Sequence, residues 1–315
     1  MTLGNGWLER ARRWLAAPVE VRLVCEVAAD YVAAARYQRG RIETWAARPL
    51  AAGAVQPATL SDNIANSAAV QEALEAVVSA VAEGERRCAL LVPDLLARVL
   101  LLEFESVPSR PDEADALLRW RLKNDLPFDI RHAALTYQVQ PGRDGKQEVM
   151  AAVSLPNLLR QYEECLERLG LEPGWVTVST LAALGCLASE GGARLLVKRD
   201  RGSLSVAVAE GGRMRLFRNL PIPPGHAQNG EALADKVYPA MIYFQDQWGR
   251  PVEEIIVTGP STERGVLAER LAQEAGCPVR ELDVAGFDLP PSPASGAAAD
   301  HQLVASLGWA RGEAA

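Results

Sequence analysis

Two stretches of this chain share one layout, and that duplication limits the fold more than any single motif does. Residues 19–27, 31–38 and 41–47 are short runs rich in valine and alanine, the last two separated by the turn signal Arg39-Gly40. Residues 194–198, 203–209 and 214–219 repeat the arrangement, with Gly211-Gly212 joining the last two. Runs of this length joined by tight, glycine-bearing turns read as antiparallel meanders. A helix follows each. The first has Ser67 as its cap and Val70, Leu74, Val77, Val78 and Val81 on one face. The second, over residues 231–248, carries Leu233, Val237, Met241, Phe244 and Trp248, with Pro239 inside it predicting a kink. The halves are not a sequence repeat but a repeated architecture. They predict an α/β chain of two lobes that break at Glu190-Gly191-Gly192.

The stretch between the meanders is longer than one connection needs. Residues 88–92 and 98–104 read as neighbouring strands. Pro111 opens a helix with Asp112 and Glu113 at its positive end, and turns Leu117, Leu118 and Leu122 inward before stopping near Leu126-Pro127. Residues 134–140 and 146–154 read as paired strands around the 142–145 turn. Ser154 and Pro156 open a further helix with Leu158, Leu159, Tyr162, Cys165, Leu166 and Leu169 as its core face, closed by Gly170. A strand at 175–178 and an apolar helix at 180–188 complete the first half. The second half ends with a strand at 254–258 and a helix capped by Thr262 that turns Val266, Leu267, Leu271 and Ala275 inward. A strand at 278–282, a Pro/Ala/Ser-rich stretch at 290–299 and a closing helix at 302–311 follow.

Composition excludes several classes. Hydrophobic residues at 49% and charged residues at 23% are those of a soluble globular chain, and a net charge of -7 gives no electrostatic case for nucleic acid. Cys25, Cys88, Cys165, Cys186 and Cys277 are scattered with no C-x-x-C pair, which fits thiols in a reducing compartment. No run of apolar residues is long enough for a transmembrane helix and the first residues lack a signal peptide, so a cytoplasmic location is expected. Residues 1–18 place Trp7, Leu8, Ala11, Trp14 and Leu15 at helical spacing beside Arg10, Arg12 and Arg13. Such a segment suits peripheral attachment to a membrane surface or a short helix packed on the domain; both readings stay open.

Several segments resemble the PilM family of type IV pilus assembly proteins. LLRWRLKNDLPFDI (residues 117–130) is similar to that family's helix and "yIPF" segment. Residues 135–139 followed by DGKQEVMAAVS resemble its "ldyqv…k.eVll.A" hairpin. YEECLERLGLEPGWVTVSTLAAL, IIVTGPSTERGVLAERLAQEAGCPV and the closing VASLGWARG are similar to further stretches in the same order. The likeness runs from residue 21 to residue 311 and extends to the cytoplasmic domain of the secretion protein GspL. It implies an actin-like ATPase fold of two ribonuclease-H-like lobes: a first lobe at 19–190, interrupted by an FtsA-like inserted subdomain at about 87–170, and a second lobe at 191–311. It implies ATP with Mg²⁺ in the interlobe cleft. It also implies a partner, the cytoplasmic tail of a PilN-like inner-membrane protein, held between the first lobe and the insert, along with other pilus inner-membrane components.

The nucleotide site departs from that pattern. An actin-like site needs a first-strand Asp for hydrated Mg²⁺ and glycines that let backbone N–H groups reach phosphates. Against the family's "DIGsssvK" this chain has Glu26, Ala28 for the glycine, Asp30 and Tyr31 for small hydroxyl residues, and Ala33 for the lysine. Against "vDiGa" it has Lys198 for the Asp and Asp200 for the glycine. The cluster Lys198, Arg199 and Arg201 reads as a solvated turn. Gly259 keeps one glycine of the adenosine-side loop, followed by Pro260 and Ser261. Residues 220–230 replace a whole second-lobe subdomain that clasps adenine in the family. ATP binding is therefore expected to be weak or lost, with no catalytic residue and no metal site.

No other chemistry competes. His132, His226 and His301 are far apart and lack metal-ligand spacing. Candidate partner-binding residues are Trp120, Leu126, Pro127, Phe128 and Tyr137, with Trp45 and Trp175 as further exposed aromatics or core residues. The expectation is a cytoplasmic scaffold at the inner face of the inner membrane. The rivals are a diverged ATPase relying on Glu26 and a filament-forming actin-like protein.

Overall fold

A computed structural model describes residues 21–187, 191–222, 230–282, 284, 287–292 and 301–312. The amphipathic segment 1–18, the middle of the 220–230 connection and most of the Pro/Ala/Ser-rich stretch lie outside them.

Both meanders form. β1 (Leu23–Val27), β2 (Tyr31–Gln38) and β3 (Arg41–Pro49) pair antiparallel, and β1 pairs parallel with β4 (Arg87–Val92), which pairs parallel with β8 (Glu172–Val178). The order of this sheet is β3-β2-β1-β4-β8. The second sheet mirrors it as β11-β10-β9-β12-β13, built from β9 (Arg194–Asp200), β10 (Ser203–Glu210), β11 (Arg213–Pro221), β12 (Glu254–Thr258) and β13 (Val279–Glu281). Strands read from sequence match because their runs are nearly all apolar, as the central strands of a sheet covered on both faces must be.

Helices cover the sheets. α1 (Ser67–Val81) buries the four valines and one leucine expected of it, but its cap is Asn66, whose side chain accepts from the Ala69 N–H at 3.1 Å. α2 (Pro111–Leu122) begins at its proline, with Ala114, Leu118 and Leu122 buried and Leu117 only partly so. α3 (Pro156–Glu167) buries Leu158, Tyr162, Cys165 and Leu166. α4 (Ser179–Ala183) is shorter than the 180–188 helix expected, because the chain tightens into a 3₁₀ turn over Leu184–Cys186. α5 (Gly230–Trp248) contains Pro239, α6 spans Ser261–Glu274, and α7 spans Val304–Gly312. In α6 two expectations fail: Pro260 rather than Thr262 holds the cap position, and Val266 is exposed while Arg264 is buried.

A third sheet, ordered β5-β7-β6, stands apart from the first two. It comprises β5 (Arg98–Phe104), β6 (Ala134–Pro141) and β7 (Gln147–Ser154), with α2 packed on one face through Leu118, Leu122, Val149, Ala151 and Val153. β5 is therefore not the neighbour of β4. Pro93 and the turn at Asp94–Leu96 carry the chain out of the first sheet between them. β4 is hydrogen-bonded within the first sheet, and α3 returns to the core of α1 and β1. The separate sheet with its helix occupies residues 98–154.

Between the lobes lies one shared core. Val24, Ala35, Ala89 and Leu91 of the first sheet meet Leu196 and Ile256 of the second through Ala182, Ala183, Leu303, Val304 and Leu307. α7 crosses the end of α4 at backbone contact: a Cβ on Gly308 would lie 2.2 Å from the Ala182 carbonyl oxygen, and one on Gly185 would lie 2.0 Å from that of Gly308.

Candidate functional site

Two places stand out, the polar contact between the lobes, at the position of the expected cleft, and a groove beside the insert. The cleft is built on β1 and β9, the first strands of the two meanders. Four residues of the second sheet lie in register across four strands: Thr258 opposite Lys198, Lys198 opposite Ser205, and Ser205 opposite Asn219. Residues directly opposite one another project from the same face, so this is one polar row across an otherwise apolar sheet. Ser205 Oγ accepts from Asn219 Nδ2 at 2.6 Å.

The first lobe answers with carboxylates. Glu26 of β1 accepts from Ser179 Oγ at 2.6 Å and from the Tyr31 hydroxyl at 3.0 Å, both through Oε1. Its Oε2 is buried without a partner among the described residues. Burial pushes the Glu26 carboxyl up to about 7, against the opposing pull of Lys198 and of the Ser179 and Tyr31 hydrogen bonds. Asp94, in the turn after β4, accepts from the Thr180 N–H at 2.9 Å, from the Thr180 hydroxyl, and from Ser205 Oγ of the second lobe at 2.5 Å. Burial raises its pKa as well, with Lys198 opposing.

Lys198 is 3% exposed and Arg199 is 2% exposed, so the basic cluster is not the solvated turn expected from sequence. Strand alternation cannot apply where both faces are covered, and each cation is buried with a partner. Lys198 Nζ donates to both carboxylate oxygens of Asp200. Burial alone would lower its pKa, but Asp200, Asp94 and Glu26 outweigh that and raise it. Arg199 Nε lies 2.8 Å from Glu263 Oε2, and its guanidinium also donates to the Ser203 carbonyl at 3.0 Å. Arg201 is more exposed and reaches across to Asp30 at 3.6 Å, joining the β1–β2 turn to the β9–β10 turn.

The remaining positions of the expected nucleotide site have structural occupations. Ala28 is buried, and its N–H donates to the Tyr31 carbonyl at 2.9 Å. Ala33 lies opposite Glu26 in the β1–β2 pair and packs with Ala28, Tyr31 and Ala47. Gly259 has φ +141, and a Cβ there would lie 2.5 Å from the Arg199 carbonyl oxygen, so packing against β9 already demands glycine. Among the described residues no cluster of three or more His, Cys, Asp or Glu side chains is placed to hold a metal ion. Of the expected nucleotide-site positions, Lys198 pairs with Asp200, and both act electrostatically on Glu26. Sequence reasoning missed Asp94, Ser179, Thr180, Ser205 and Asn219, which belong to no motif and meet only through the lobe packing.

The groove has about 520 Å³ of space. Its walls include two consecutive runs, Ala134 to Gln138 of β6 and Trp175 to Val178 of β8. Consecutive lining means strand edges rather than strand faces, and β6 and β8 are indeed the outer strands of their sheets. Met150 and Ala152 of β7 lie between them, with Trp309 at one side. Of the five partner-binding candidates, Tyr137 lines this groove. Leu126, Phe128 and Tyr137 itself pack against the core of the insert, Pro127 is exposed, and Trp120 is 65% exposed with Lys123 Nζ 5.5 Å above its ring. Trp175 is 58% exposed and stands in the groove wall.

Two lobes of matching meander-and-helix plan, joined across a cleft floored by their first strands, define an actin-like ATPase fold, with an extra sheet-and-helix subdomain in the first lobe. The solved structure of a PilM-PilN type IV pilus biogenesis complex contains a similar chain, with a TM-score of 0.77 and 16% identity over 94% of this chain and 99% of that one. The cytoplasmic domain of EpsL, an inner-membrane component of the type II secretion system of Vibrio cholerae, is also similar, with a TM-score of 0.52 and 13% identity over 93% of this chain and 94% of that one. No family model and no curated protein matches the sequence. No helix among the described residues is long and apolar enough to cross a membrane.

Proposed function

We propose that this protein is a cytoplasmic scaffold of a type IV pilus or type II secretion-like assembly machine, docking the tail of a PilN-like inner-membrane protein. The observation that carries the reading is the apolar groove between two unpaired strand edges. An extended tail gains main-chain hydrogen bonds from such an edge and specificity from alternate side-chain pockets. Trp175 and Tyr137 are the anchors, because a large aromatic in a concave wall contributes most to an interface. Trp120, Leu126, Pro127 and Phe128 are its outer contacts. Support also comes from the similar chain being part of a PilM-PilN complex. The protein would sit at the inner face of the inner membrane through that tail, with residues 1–18 as a second, peripheral membrane contact.

The scaffold works by binding, without turnover. The cleft residues do not suit Mg²⁺-nucleotide: a buried ammonium occupies the row where a cation would sit, Asp200 is already paired, and no glycine opens the first turn. The test is a synthetic peptide of a PilN-like cytoplasmic tail, titrated by fluorescence anisotropy. Trp175→Ala is expected to weaken binding by about tenfold or more. Binding that ignores this substitution would place the partner elsewhere. Calorimetric titration with Mg²⁺ and ATP is expected to give no binding heat; clear heat would favour the diverged ATPase.

A further inference from the structure

The cleft contains more than a set of lost residues. Its side chains form a connected network that spans the two lobes, and each link is a specific contact. At the floor, Asp94 of the first lobe accepts from Thr180 on its own side and from Ser205 on the other, and Ser205 is held in turn by Asn219. At the mouth, Arg201 of the β9–β10 turn pairs with Asp30 of the β1–β2 turn at 3.6 Å. Between them Lys198 is buried with its ammonium on Asp200, and it is electrostatically coupled to Glu26 and Asp94.

The charge balance explains why the lysine is there. Glu26, Asp94 and Asp200 are three carboxylates brought together by the meeting of two sheets, and mutual repulsion in a dry site needs a compensating cation. In register, Lys198 lies directly opposite Ser205, the residue that reaches across to Asp94. The compensating charge and the interlobe hydrogen bond thus come from neighbouring positions on one face of one sheet.

We propose that the cleft is closed by its own side chains: Lys198 serves as a resident cation in place of a bound divalent ion, and with the Asp94–Ser205 and Asp30–Arg201 contacts it fixes the two lobes in one closed arrangement that needs no ligand. The inference is independent of peptide docking, since no residue of the network lines the groove between β6 and β8.

Lobe closure set by a ligand would leave a protein whose shape and stability respond to Mg²⁺ or nucleotide. Lobe closure set by Lys198 makes both insensitive. Removing the ammonium should expose the three carboxylates to one another, and the variant should then recover stability from any substitute positive charge. The substitute available is the proton, since no cluster among the described residues is placed to hold a metal ion. The charged groups acting on Lys198 are Asp200 of β9, Asp94 after β4 and Glu26 of β1, with Asp30 of the β1–β2 turn and Arg201 beside them and the Tyr31 hydroxyl and the His301 ring next to Glu26 and Asp30.

The experiment measures thermal unfolding and small-angle scattering of the full chain, with and without millimolar Mn²⁺, at mildly acidic and mildly alkaline pH. Wild type should show the same radius of gyration and the same Tm with and without Mn²⁺. Lys198→Met should lower Tm by about 10 °C at alkaline pH, and acid should recover part of that loss while Mn²⁺ recovers none. Lys198→Arg, which keeps the charge, should stay near wild type. A Tm loss in Lys198→Met that acid does not relieve would mean packing rather than charge, and would overturn the proposal. So would Mn²⁺ raising the Tm of wild type. If Lys198→Met does not fold, Ser205→Ala supplies the second readout, with Asn219→Ala as its control: the first removes the cross-lobe hydrogen bond together with the Asn219 contact, the second the Asn219 contact alone, and only Ser205→Ala should broaden the scattering-derived dimensions without unfolding the lobes. Unchanged dimensions there would refute the closure.

Discussion

Glu26 couples burial to pH in a way that can be measured. Its carboxyl is shifted from an ordinary value of 4.5 to about 7, chiefly by burial. A carboxyl with a raised folded-state pKa favours folding most below its unfolded value, and that contribution is lost as pH rises through the folded one. Between about pH 4.5 and 7 wild type should therefore lose stability on this account, and Glu26→Gln should not. At pH 8 the variant is expected to be more stable than wild type by about 2 kcal/mol, with the difference vanishing near pH 4. Urea unfolding at the two pH values is the check; an equal gain at both would point to packing. Asn63 makes the opposite case, a buried polar residue whose groups are all used. Its side chain donates to the Ala58 and Ser61 carbonyls at 2.9 and 2.7 Å and accepts from the Tyr162 hydroxyl at 3.0 Å. Asn63→Ala should cost about 2–3 kcal/mol, because the Tyr162 hydroxyl and two carbonyls lose their partners together. The sequence marked neither residue's energetics. Glu26 was legible as the equivalent of a first-strand acid, but its pKa depends on Lys198 and Ser179, which are distant in the chain.

At the scale of elements, the crossing of α7 over the end of α4 is held by two glycines in backbone contact. Gly308→Ala would drive a methyl group to within 2.2 Å of the Ala182 carbonyl, an atom that cannot move without shifting α4. The expected loss is about 3 kcal/mol, read as a lower denaturant midpoint. Gly312→Ala is the matching control, since nothing lies within 4 Å of a Cβ there. The hairpin of β6 and β7 reaches the second lobe through a second set of contacts. Arg215 lies 2.9 Å from Glu148 and 3.3 Å from Glu210, and the guanidinium groups of both Arg215 and Arg143 lie 4.4 Å from the centre of the Trp248 ring. Arg215→Ala leaves two largely buried carboxylates without their shared cation and should cost about 2–3 kcal/mol. Amide exchange in β6 and β7 should accelerate as the hairpin lifts; unchanged protection there would show that the insert is held by its own core alone. Helix and strand identities were readable here because periodicity is local. The neighbour relation of β4 and β5 was not, because a single turn at Asp94–Leu96 decides which sheet the chain enters.

For the whole molecule, the five cysteines offer a simple probe of closure. Cys25, Cys88, Cys165 and Cys186 are buried and Cys277 is partly exposed. Burial raises the pKa of Cys277 as well, so a thiol reagent should label the native protein slowly and chiefly at that residue. All five should react on denaturation. Rapid native labelling of Cys186, which lies in the core between the lobes, would show that the lobes separate readily.

The order of elements, the two-lobed plan and the altered turn residues were determined by the sequence alone, because hydrophobic period and turn chemistry are set by neighbours along the chain. The sequence did not show where the candidate partner residues would sit: Leu126, Phe128 and Tyr137 all pack on the core of the insert, and Tyr137 also lines the groove. What Lys198 does was decided by tertiary structure. A lysine in a short basic run is ordinarily solvated, and only the meeting of two sheets, which buries it among Glu26, Asp94 and Asp200, turns it into the charge between the lobes.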